Sequence, residues 1–129
     1  MPANAMLIDA VLVPPGTVLT EKGDSPVVDV AGAESRVFLL TLTIAEAVEQ
    51  EYIELSLSGS PDGTTWGARP LASLPQRFYA GEYPTLIDIT ADPNAKFLRV
   101  HWELSRWGRG ELAPHFTCGL TLREVPREM

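Results

Sequence analysis

Cysteine is nearly absent from this chain. Cys118 stands alone, which excludes an intrachain disulfide framework. It falls on the apolar phase of its segment, the place of a core thiol, whereas a reactive thiolate needs an exposed, electropositive setting. Histidine is almost as scarce. His101 and His115 lie opposite the apolar positions of their segments, without the Cys/His spacing of a zinc site. No Gly-x-Ser-x-Gly elbow, P-loop or dinucleotide fingerprint occurs. Asp88, Glu103 and Glu111 are carboxylates of the type a glycosidase pair uses, but the sequence brings no two of them together. The expectation is a protein that is not an enzyme and carries no metal or cofactor. Basic residues are few as well: 10 Lys and Arg face 17 Asp and Glu, for a net charge of −7. That balance repels phosphate backbones and anionic lipid, so neither nucleic acid nor a membrane surface is an expected partner. Long apolar runs are missing too. The N-terminal "MLIDAVLV" is shorter than a signal peptide or a membrane span needs, and no basic residue precedes it.

What the chain has instead is alternation. In "EYIELSLSGS", Ile53, Leu55 and Leu57 point one way and Tyr52, Glu54, Ser56 and Ser58 the other. "KFLRVHWELS" alternates Leu98, Val100, Trp102 and Leu104 with Phe97, Arg99, His101 and Glu103. "HFTCGLTLRE" does the same with Phe116, Cys118, Leu120 and Leu122. These are half-buried strands. A more deeply buried strand is expected over residues 36–45, with shorter ones in "MLIDAVLV", "PVVDV" and "TLIDIT". Turn signals separate them: Pro14-Pro15-Gly16, Lys22-Gly23-Asp24, Ser60-Pro61-Asp62-Gly63 and Asp92-Pro93-Asn94. "AEAVEQEY", residues 45–52, has helical composition but is too short to be stable alone, and is expected to be a polar connection with one helical turn at most. The fold class is therefore all-β: a single antiparallel β-sandwich over residues 1–129, jelly-roll in form, with seven to nine strands. Segment 1–30 is expected to contribute edge strands.

The stretch "SGSPDGTTWGARPL", residues 58–71, raises the question of a binding loop. A calcium loop needs several oxygen ligands, and "PDGTTW" offers a single carboxylate. Turn chemistry accounts for it more simply. Pro61 presets φ, Asp62 accepts nearby backbone hydrogen bonds, and Gly63 tolerates positive φ. The expectation is a hairpin tip between strands at 52–60 and 65–71, with Trp66 capping the core edge.

Several words of the sequence, taken together, resemble a group of small β-sandwich structural proteins of tailed bacteriophages. The words are Ser60, Asp62, Gly63 and Trp66; then Lys96-Phe97-Leu98-Arg99-Val100 with Trp102; then Phe116-Thr117 with Leu120. The likeness covers roughly residues 36–124, and a weaker one extends to discoidin-like jelly-roll binding modules. This chain differs from the phage group in an added N-terminal third and in a "SRWGRGELAP" loop richer in Arg and Trp. The resemblance implies a capsid-decorating or tail-associated component without enzymatic activity, located in a virion or in the cytoplasm.

Two segments depart from plain scaffold chemistry. "ELSRWGRGELAPHF" places Arg106, Trp107 and Arg109 in a loop between strands, beside Gly108 and Gly110, a composition found at interface hot spots. A related patch is expected from Trp66, Arg69 and "LPQRFYAGEYP", with Gln76, Arg77, Phe78, Tyr79 and Tyr83. Two functions fit. One is a structural protein that self-associates as a homo-oligomer, or docks onto a shell or tail protein, through these aromatic and Arg loops. The alternative is a carbohydrate-binding jelly-roll module, in which Trp107, Trp66 and Tyr79 or Tyr83 stack on a glycan.

Overall fold

Alternating side chains with turns every eight to twelve residues or so close into two packed antiparallel sheets. The computed structural model describes residues 7–67, 69–107 and 113–126. In chain order the strands are β1 (Asp9–Leu19), β2 (Gly23–Asp24), β3 (Val28–Asp29), β4 (Val37–Ala47), β5 (Glu51–Ser60), β6 (Ala72–Ser73), β7 (Gly81–Asp88), β8 (Phe97–Arg106) and β9 (Phe116–Glu124). The first sheet has the order β1-β9-β4-β7. The second runs β2-β8-β5-β6, with β3 also pairing β8. The chain thus crosses between sheets at most connections, and among the described residues only β2 with β3 and β5 with β6 follow one another within a sheet.

The inward phases are those the alternation predicts. Phe38, Leu40, Leu42 and Ile44 of β4 share one buried cluster with Ile53, Leu55 and Leu57 of β5. Leu98, Val100 and Trp102 of β8 and Phe116, Cys118, Leu120 and Leu122 of β9 complete it. Burial raises the Cys118 thiol to a pKa of about 11, so it is held protonated in the core.

Several local expectations need correction, among them the turn at Lys22-Gly23-Asp24, where Gly23 and Asp24 instead pair Trp102 and His101 as β2. Pro14-Pro15-Gly16 does not end a strand; it arches out of β1, which resumes its pairing with β9 on the far side. Val13 pairs Leu120 and Thr17 pairs Cys118, so the arch stands opposite Gly119 alone. A Cβ on Gly119 would come within 3.0 Å of Pro15 Cα, so a side chain there would collide with the arch. Because β1 is an edge strand, its prolines withdraw no donor the sheet interior needs.

Residues 45–52 contain no helical turn. β4 runs on to Ala47, slipping one residue at Ala45, and β5 begins at Glu51. The described residues of 65–71 form no strand either. The connection after Ser60 folds over the end of β5, where Leu71 packs so close to Gly59 that a Cβ there would meet its Cδ1 at 2.7 Å. Pairing with β5 returns only at Ala72 and Ser73. Ser60-Pro61-Asp62-Gly63 is a turn, with Gly63 at φ 82°, but it opens a long loop rather than capping a tight hairpin.

Two glutamates lie on inward phases and are buried. Glu124 accepts the backbone N–H groups of Ile8 (3.1 Å) and Ser35 (3.0 Å). Glu51 accepts those of Val48 (2.9 Å) and His115 (2.6 Å). Each carboxylate therefore ties two separate stretches of backbone to a strand end.

Candidate functional site

The aromatic residues converge at the end of the sandwich where β5 begins and β8 ends. The short turn from β4 to β5 forces Gln50 to φ 60°, an uncommon conformation for a side-chain-bearing residue. Its carbonyl then accepts the N–H of Trp107 at 2.8 Å, fixing the backbone at the end of β8. On the next strand position but one, Ile53 and Arg77 exchange both backbone hydrogen bonds, at 3.0 and 2.9 Å. That exchange draws residues 77–79 alongside β5.

Four rings meet as a result. Phe78 packs edge-on to Trp107 (centroids 6.3 Å, planes at 80°) and to Tyr52 (6.4 Å, 66°). Tyr52 lies 6.3 Å from Trp107 and Phe78 lies 6.2 Å from Tyr79. Tyr79 is 77% exposed and Trp107 49%, so the cluster stands at the surface. Phe78, Tyr79 and Trp107, with Val48, Glu49, Gln50 and Glu51, line a cleft of about 370 Å³.

The basic residues fall into different places. Arg77 lies over the Tyr83 ring at 4.5 Å, and the Tyr83 hydroxyl donates to the Tyr79 carbonyl at 2.6 Å. Arg106 is the last residue of β8 rather than a loop residue, and its Nη1 is 3.5 Å from the Ala113 carbonyl oxygen. Arg109 lies outside the described residues. Trp66 does not join the aromatic cluster. It is half-buried under Arg99, whose guanidinium lies 4.3 Å from the ring centre. Arg99 pairs with Ser58, roughly 20 Å along β5 from Tyr52 at about 3.3 Å per residue. Arg69 is exposed on the same loop as Trp66. The expected single patch is thus two separate places.

Tyr52 and Glu51 belong to the site although composition does not single them out. The signal was present in the alternation: Tyr52 sits on the outward phase and Glu51 on the inward one.

Elsewhere, the outer face of the second sheet holds a polar cluster. His101 is bracketed by Glu103 at Nε2 and by Asp24 at Nδ1 (2.9 Å). The Glu103 carboxylate first, and Asp24 after it, push the imidazole pKa up despite partial burial. Among the described residues no group of His, Cys, Asp and Glu is arranged to hold a metal ion. Among them no helix is long and apolar enough to cross a membrane.

No known protein family matches the chain, and no curated protein matches it. Solved structures that are similar to it include two of infectious bursal disease virus. One is the structure of infectious bursal disease virus Gt strain, at 12% identity and a TM-score of 0.40, over 95% of this chain and 31% of that one. The other is the structure of infectious bursal disease virus Gx strain, at 11% identity and a TM-score of 0.41, over 92% of this chain and 30% of that one. The chain spans less than a third of the length of the viral chains it resembles.

Proposed function

We propose that this is a non-enzymatic structural protein, which docks onto a phage or phage-like particle, or onto copies of itself, through the cluster of Tyr52, Phe78, Tyr79 and Trp107. The observation that carries the reading is the exposure of Tyr79 and Trp107 in a cluster pinned by backbone hydrogen bonds. The strand order supports it. With β2 and β3 counted as one interrupted strand, the chain follows the double Greek key of a jelly roll, an architecture used by capsid and lectin domains. An indole half out of water has roughly 100 Å² left to bury, which at about 25 cal/mol/Å² contributes on the order of 2 kcal/mol, a hot-spot contribution. Arg77, next to Phe78 in the chain and lying over Tyr83, adds orientation more than affinity.

Size-exclusion chromatography with light scattering, on the protein alone and mixed with particle proteins, tests this. Trp107→Ala should abolish association while the isolated chain still unfolds cooperatively, with only the modest loss of stability expected from its contacts with Tyr52 and Phe78. A stable monomer that no particle protein binds, but whose Trp fluorescence responds to a polysaccharide, would overturn the reading. That result would favour the carbohydrate-binding alternative, which the polar Glu49 and Gln50 beside the exposed rings also suit.

A further inference from the structure

We infer that the aromatic cleft receives an arginine or lysine side chain from a basic segment of a different protein. The inference rests on the docking reading above and specifies its chemistry. Three observations lead to it. First, two of the rings lining the cleft make a corner: Phe78 stands at 80° to Trp107. A compact cation can meet more than one ring face in such a corner, whereas a sugar ring stacks on a single flat platform.

Second, the lining is anionic. Glu49 is exposed at the cleft, and Glu51 is a buried carboxylate whose two oxygens are each occupied by a backbone N–H. Arg106 pairs with Glu51 across the strands, yet its guanidinium reaches toward the Ala113 carbonyl. Among the described residues no ion pair involves Glu49 or Glu51.

Third, the protein already uses this chemistry on its other rings. Arg77 covers Tyr83 and Arg99 covers Trp66, at 4.5 and 4.3 Å. No such cation lies over Tyr52, Phe78, Tyr79 or Trp107 among the described residues. The source follows from net charge. At −7, two copies of the chain repel at long range, while a basic segment is drawn in.

The test titrates the full chain with the peptide Gly-Arg-Gly-Arg-Gly and with its citrulline counterpart, which keeps the shape and loses the charge. The readout is the Trp107 indole N–H resonance, assigned by its loss in Trp107→Phe. The arginine peptide should shift this resonance and bind about tenfold or more tightly than the citrulline peptide. Glu49→Gln should weaken the arginine peptide and reduce the salt dependence of its binding. Equal binding of the two peptides would overturn the cation inference, while docking through Trp107 could still be demonstrated with particle proteins. A shift caused only by a cello-oligosaccharide, or by self-association of the chain alone, would overturn it in favour of a glycan or a second copy. Particle binding that survives Trp107→Ala would instead remove the docking reading itself.

Discussion

Glu51 offers the sharpest check on how the site is held. Its carboxylate is 1% exposed and accepts two backbone N–H groups, from Val48 before the strand and from His115 ahead of β9. Replacing it with Ala leaves two partly buried donors without that partner, at up to about 1–3 kcal/mol each, and removes packed methylenes. The expected loss is about 3–5 kcal/mol. Glu51→Gln should lose about half as much. The amide oxygen can still accept one N–H, while the amide nitrogen faces a second donor. Urea unfolding followed by Trp fluorescence measures both variants, and an unchanged slope shows that the midpoint shift is a change in stability. Because Trp107 N–H bonds to Gln50, one residue from Glu51, the folded Glu51→Gln protein should also show a more exposed Trp107. An Ala variant within about 0.5 kcal/mol of the parent would refute the argument, since it would mean that water satisfies those donors.

The other predictions concern the turn, the histidine and the core. Asp62 accepts the N–H groups of Thr64 and Thr65 and a hydroxyl from Ser60, which hold its pKa well below the usual carboxylate range. Asp62→Ala should lower the melting temperature at neutral pH, and calorimetry should find the difference shrinking as the pH falls below about 4, where the parent begins to lose the same interaction. His101 has a raised pKa in the folded state, so its contribution is complete below about pH 6.5 and fades as the pH rises through that raised value. His101→Gln should therefore flatten the alkaline side of the urea-midpoint profile, and an unchanged profile would show that the carboxylate bracket is not formed in solution. Trp102, 8% exposed with its indole N–H donating to the Glu21 carbonyl, should cost about 3–5 kcal/mol when truncated to Ala. Near-native melting of that variant would mean the phase of β8 is inverted.

The strand phases were legible because burial on one face of a sheet imposes a period of two. Ile53, Leu55 and Leu57, or Leu98, Val100 and Trp102, could be assigned inward from spacing alone. The same rule reaches Glu51 and Glu124, but charge argues against burial unless partners are known, and three of their four partners, at Ile8, Ser35 and His115, are backbone groups far away in sequence. Turn chemistry was legible at Gly63 and misleading at Pro14-Pro15-Gly16. There a proline pair signals a break, yet an edge strand with a glycine opposite can absorb it as a bulge. The loop after Ser60 is not legible from local pattern, because its path depends on Leu71 settling against Gly59, a contact no local pattern encodes.

The candidate site shows the same division between local and non-local information. Composition picks out Trp107, Tyr79 and Arg77 as unusual, and equally picks out Trp66 and Arg69. Only the pairing of Ile53 with Arg77, and of Gln50 with Trp107, decides which of these meet. Those pairings also bear on affinity. Ordering a mobile loop on binding costs about 0.5–1.5 kcal/mol for each side chain immobilised. Here the backbones carrying Tyr52, Phe78 and Trp107 are tied to β5 or to the turn before it, and Phe78 touches the other two rings before any partner arrives. Much of that ordering cost is met in folding, so a modest aromatic surface can serve as an anchor. Weakening Glu51 would return the cost to the binding step. Its variants should thus lose docking affinity in proportion to their loss of stability, whereas Trp107→Ala should lose far more docking affinity than stability.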